Sequence, residues 1–198
     1  MHIADGVLST PVIATSFALT AGAIAIGLKN TKEDDIPKIS LMAGTFFAIS
    51  LITIPVPPSS VHPILGGLLG IILGWKSALA FFPALLLQAL LFKHGGLTSL
   101  GANTIMLTIG AVAGYYLYKK LPIKSTFARG ALSGFLSMCI IVVVLILFLY
   151  LSNEIYSTGT MSPINILIVT HFPLAIAEGV ITGFAASFIE KSKPDWIS

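Results

Sequence analysis

The chain predicts an all-α polytopic membrane protein: a bundle of about seven transmembrane helices, amino terminus outside and carboxyl terminus inside. Three observations carry that prediction. Of its 198 residues, 56% are hydrophobic and only 10% charged, and the mean hydropathy of +0.96 lies well outside the range of ordinary soluble domains. The apolar residues gather into runs near the roughly 20 residues that a helix needs to cross a bilayer. The basic residues fall almost entirely in alternate connections between those runs, which orients the bundle.

The runs lie at approximately 9–28, 39–56, 63–75, 77–92, 103–118, 130–151 and 165–188. The third and fourth are short and separated only by Trp75, Lys76 and Ser77; tilting, partial re-entry or burial against neighbours would accommodate them. With the amino terminus outside, Lys29, Lys32, Lys38, Lys76, Lys119, Lys120, Lys124, Arg129, Lys191 and Lys193 fall on the cytoplasmic side, and only Lys93 falls outside. The longest polar connections, around 29–38 and 152–163, are too short to hold a soluble domain, so residues 1–198 read as one transmembrane unit. The opening MHIADG has no basic patch, the first lysine being Lys29, so it reads as mature protein rather than a secretory leader.

Small residues recur every four positions at Gly66, Gly70 and Gly74 and at Ala175, Gly179 and Gly183; Ala14, Ala18, Ala21 and Ala25 form a comparable row in the first span. Each row permits close approach of another helix, from within the bundle or from a partner subunit. The net charge of +3 does not point to nucleic acid, because the cations are dispersed in loops with no interleaved aromatics. Cys139 is the single cysteine, so no intrachain disulfide can form.

No phosphate-cradling loop is present: GWKS at 74–77 lacks the G-x-x-x-x-G-K-[ST] pattern. The common hydrolase and zinc signatures are also missing, which gives an enzyme little support. Four histidines remain, and all fall in the outer half of the topology. His2 is in the terminal tail, His62 in PVPPSSVHP, His94 in KHGGLTSLGAN and His171 near the outer end of the last span. Imidazole is the commonest metal ligand and titrates near neutrality, so their convergence points to a metal or a proton.

The second position gives His2 a special stereochemistry. A free α-amine on Met1 and the backbone nitrogen of His2 close a five-membered chelate ring, and Nδ1 of His2 closes an adjacent six-membered one. Three nitrogens leave one vacancy for a remote imidazole. Four planar nitrogens suit Ni(II) or Cu(II), and tetrahedral Zn(II) fits less well. Glu178, inside the last span, is costly there unless it meets a partner or cavity; two turns from His171, it reads either as orienting a ligand histidine or as a structural tie between helices.

These residues resemble the CbiM and NikM substrate-binding components of energy-coupling-factor transporters for cobalt and nickel. The resemblance rests on MHIADGVL at the start, SSVHPILGGLLG, QALLFKHGGLTSLGAN at 88–103 and PLAIAEGVIT at 173–182, and it runs the length of the chain. It implies a seven-helix bundle in a prokaryotic plasma membrane that binds Co(II) or Ni(II) at its outer face through Met1, His2 and His62. His94 and Asn103 would shape or cover the site, with His171 and Glu178 nearby. It also implies no permanent cofactor, and partners comprising a coupling transmembrane subunit, ATP-binding subunits and a small accessory membrane subunit. Asp5 matches many nickel members, whereas the lack of a fused accessory segment does not, so cobalt and nickel both stand. Outside the resemblance, a membrane-embedded metalloenzyme or heme protein using the outer histidines is the competing reading.

Overall fold

In the computed structural model, residues 2–56, 59–159 and 162–197 are described. Among them are seven α-helices: α1 (Thr10–Lys29), α2 (Ile36–Ile49), α3 (Gly66–Leu73), α4 (Ser77–Phe92), α5 (Leu100–Lys120), α6 (Thr126–Ser152) and α7 (Pro163–Ser192). A two-stranded antiparallel hairpin, β1 (Ile54–Val56) and β2 (Ser59–Val61), pairs Ile54 with Val61 between α2 and α3. Among the described residues, five helical stretches are long and apolar enough to cross a membrane, at Thr10–Lys29, Gly66–Phe92, Leu100–Lys120, Thr126–Ser152 and Pro163–Ser192.

The stretch Gly66–Phe92 is not one rod. A continuous helix of that length would separate its ends by roughly 40 Å at 1.5 Å per residue. Yet His62, before it, and His94, after it, meet at 3.3 Å, so the chain doubles back. The reversal is at Gly74, whose φ of 54° and ψ of −127° suit glycine, followed by a 3₁₀ turn through Lys76. The expected break between the third and fourth spans is therefore real. The expected second span, 39–56, is shorter: α2 ends at Ile49, and Ile54, which precedes Pro55, is biased toward extended backbone and opens β1.

Every residue of α3 is buried, as expected of a helix that is apolar on all sides. It is the central element, packed against α5, α6 and α7, and its glycines make that possible. A Cβ at Gly67 would stand 2.5 Å from the Gly134 Cα on α6, and one at Gly70 would collide with the Ala111 carbonyl on α5. On α7, Gly179 and Gly183 likewise face backbone carbonyls of Ala131 and Phe127. The α3 and α7 rows thus serve internal packing. Ala14, Ala18, Ala21 and Ala25 of α1 are exposed.

Alternating helix directions give the bundle two chemically distinct ends. The α3–α4 turn meets the start of α2, where the Lys76 ammonium pairs with the Asp35 carboxylate at 2.5 Å; Lys38 lies over the Trp196 ring and Arg129 over Tyr118. The other end holds the residue 2–6 segment, the β-hairpin and the α4–α5 loop, which carry three of the four histidines.

Candidate metal centre

The site begins with a chain end that is held in place. The Ile3 amide donates to Asn103 Oδ1 at 2.8 Å, and the Ile3 carbonyl accepts from Asn103 Nδ2 at 3.0 Å and from the Ser99 hydroxyl at 2.5 Å. A side-chain amide on α5 thus treats Ile3 as a strand partner would. Two residues on, the Asp5 carboxylate accepts from the Thr98 amide (2.8 Å), the Thr98 hydroxyl (2.6 Å) and the Leu97 amide (3.2 Å). Those bonds, the Thr98 hydroxyl first, hold the Asp5 carboxyl below its ordinary pKa. The loop admits the segment because it lacks side chains at two positions. A Cβ at Gly95, where φ is +82°, would press on His2, and one at Gly96 would strike the Asp5 carboxylate.

His62 is delivered by β2 and is buried. His94 follows Lys93, the αL residue that ends α4, and its amide donates to the Gln88 carbonyl. The three rings converge: His2 and His62 centroids are 4.6 Å apart, His2 and His94 4.8 Å, and His62 and His94 4.9 Å. One ring nitrogen from each can be chosen so that all lie within 4.8 Å of one another. Two nitrogens bound at right angles to one ion, each about 2.0–2.1 Å away, stand ~3 Å apart, close to the 3.3 Å between Nε2 of His62 and Nε2 of His94. His94 therefore stands as close to the centre as the other two. Met1, predicted to supply the amine, lies outside the described residues.

Beneath His2 is an apolar floor, Phe46, which packs edge-on against Phe81. Both ring nitrogens of His2 are buried without a hydrogen-bond partner among the described residues, which costs about 1–3 kcal/mol per group in a site with nothing to bind. Burial, then the neighbouring imidazoles and the amino-terminal charge, holds the His2 pKa well below its ordinary value. His62 is pushed down to about 3, by burial first and then by the amino terminus and His94; His94 is lowered for the same two leading reasons, burial and the amino terminus. At neutral pH the cluster is three neutral imidazoles with lone pairs available to a cation.

The remaining predicted residues take separate positions. Asn103 ties down the chain end. His171 is buried on α7 with Nδ1 at 2.8 Å from the Leu167 carbonyl and 3.0 Å from the Thr170 hydroxyl. It lines a cavity of about 240 Å³ with Cys139, Ile168 and Phe172; it is not one of the three converging rings, yet lies near enough to His62 to disfavour a charge there. Glu178 does not orient His171: its Oε1 accepts from the amides of Ile64 (2.5 Å) and Leu65 (2.9 Å), just beyond His62. Sequence reasoning missed Ser99 and Thr98 as tethers and took Asp5 only as a marker of metal preference. The adjacent glycines at 95 and 96 were the available signal that another segment comes close there.

Long apolar helices around three convergent imidazoles, spaced so that they could hold one metal ion, define the class: a multi-helix membrane protein with a candidate metal centre. The profile of the CbiM family, described as the cobalt uptake substrate-specific transmembrane region, matches residues 2–196, and the chain belongs to that family; it is a multi-pass membrane protein. It is 35% identical to the cobalt transport protein CbiM of Sorangium cellulosum over 98% of this chain and 93% of that one. It is 33% identical to the cobalt transport protein CbiM of Clostridium tetani, over 96% and 85% respectively. A crystal structure of a truncated transition metal transporter superposes with a TM-score of 0.82 at 25% identity, covering 97% of this chain and 99% of that one.

Proposed function

We propose that this chain is the substrate-capturing subunit of an ATP-driven transporter, taking Co(II) or Ni(II) at its histidine end on the extracellular side. The single observation that carries the reading is the convergence of His2, His62 and His94, with both nitrogens of His2 buried and unpaired among the described residues. In this reading the Met1 amine, the backbone nitrogen and Nδ1 of His2, and the His62 imidazole form the donor set. His94 closes the site from the α4–α5 loop. The amine and two ring sizes around one ion favour metals that accept planar nitrogen donors, and the family membership supports cobalt or nickel as cargo. The basic end faces the cytoplasm, in accord with the excess of lysine and arginine there.

The chain carries no nucleotide-binding loop, so ATP hydrolysis falls to separate subunits, with a coupling membrane protein between them and this bundle. The test is to purify the chain with its native start and with one extra residue before Met1, and to titrate each with Ni(II) and Co(II) by calorimetry. The extended form is expected to lose tight binding. Equal affinity in the two forms would rule out the amino-terminal chelate.

A further inference from the structure

We propose that Glu178 is the positioning residue of this site: it fixes where His62 points by holding the backbone just after it. The inference rests on the capture site proposed above and adds a role for α7. The string His62-Pro63-Ile64-Leu65-Gly66 explains the arrangement. Pro63 has no amide hydrogen, so the amides of Ile64 and Leu65 are the only ones between His62 and the first residue of α3. Glu178 Oε1 accepts from both, at 2.5 and 2.9 Å, from a residue 1% exposed and more than 110 positions away. Leu65 is one of only two non-glycine residues with positive φ among those described, at 55°; it turns the chain from the ligand loop into α3. Without an acceptor, two adjacent buried amides would be left unpaired, and a relaxed bend would swing His62 away from His2.

The role is a hydrogen-bonding one, so acceptor reach matters more than charge. Two variants separate these. Glu178→Gln keeps the oxygen at its full reach and removes the charge; Glu178→Asp keeps the charge and shortens the reach by one methylene. Full-length protein with its native start is titrated with Co(II), following affinity by calorimetry and donor set by the ligand-field absorption of the bound ion. Glu178→Gln is expected within about threefold of wild type with an unchanged spectrum. Glu178→Asp is expected to lose tenfold or more, with the spectrum shifted as solvent replaces the His62 nitrogen. A merely stabilising residue would lower the melting temperature and leave the spectrum of bound Co(II) unmoved.

The proposal is overturned if Glu178→Asp matches wild type in both readouts, or if Glu178→Gln loses binding while Glu178→Asp keeps it. Where Glu178→Asp does not fold, Glu178→Gln decides: a retained spectrum supports the proposal and a shifted one overturns it. Wild-type protein that binds no Co(II), or His62→Ala that binds as wild type does, instead refutes the capture site itself.

Discussion

The two ends of the bundle hold their polar groups in opposite ways. At the basic end the interactions are an ion pair with side chains about one-fifth exposed and cations lying over aromatic rings, each one replaceable and each screened by solvent. At the histidine end the bonds that hold Ile3 are buried and reach across about 100 residues to Ser99 and Asn103. Those of Asp5 to Leu97 and Thr98 span about as far but are exposed, and the ring nitrogens of His2 have nothing to bind among the described residues. Charge at the basic end needs only to be on the correct side of a membrane. Ligands at the histidine end need a defined distance and direction, and the fold devotes its long-range contacts to them.

That contrast predicts a hierarchy of effects on metal binding. Replacing His2 or His62 by alanine should weaken Co(II) or Ni(II) binding by about 100-fold or more, beyond the roughly 10–100-fold typical of losing an outer partner of a ligand; calorimetry with either variant at wild-type affinity would remove the site from this end. Asn103→Ala should fall in the 10–100-fold range, because it leaves the buried Ile3 amide without its acceptor, and far-ultraviolet circular dichroism should show the helices intact.

Acidity should act more gradually. With His62 held to about 3 and His2 well below its ordinary value, the imidazoles offer no proton competition near neutrality, whereas a free amine of pKa about 7.7–8.0 does. As pH drops, affinity should therefore fall about tenfold per unit above that value, for the amide proton that the metal displaces from the His2 backbone nitrogen, and about a hundredfold per unit below it, where the amine must lose a proton as well, with no added inflection near 6.5. An inflection there in the pH dependence of binding would mean that the imidazoles titrate as exposed groups do. Folding has its own sign: the depressed His62 value means that its contribution is complete above about 6.5 and is lost as pH falls toward 3. The smallest effect belongs to the basic end. Lys76→Ala should cost no more than about 1 kcal/mol of stability, read from a thermal melt, and should leave metal affinity within twofold.

Much of the architecture was legible because membrane solvation writes it into single residues and short runs. Six of the seven helices match their predicted runs to within four residues at each end, and the reversal near Trp75 was visible as GWK, a glycine and a cation inside an apolar stretch. The early end of α2 was missed since hydropathy does not register what Pro55 does to backbone geometry. Topology led to the expectation that all four histidines converge at one end, and three of them, His2, His62 and His94, meet there, while His171 is outside that cluster. What could not be read was which polar group meets which. For Glu178 the sequence left two readings open, orienting His171 seven residues along the same helix or tying α7 to another element, and the carboxylate takes the second, with Ile64 and Leu65 as its partners. Helical periodicity shows neighbours along one helix; it carries no information on a carboxylate's partner across the bundle.

The span of the Ile3–Asn103 bond also sets an order in time. His2 is made about 100 residues before the side chain that fixes its neighbour, roughly 5–20 s at ordinary rates of synthesis. Glu178, on the last helix, follows later still. Until Asn103 and Glu178 have been made, neither the tether of Ile3 nor the acceptor for the Ile64 and Leu65 amides exists, so the candidate site is assembled late.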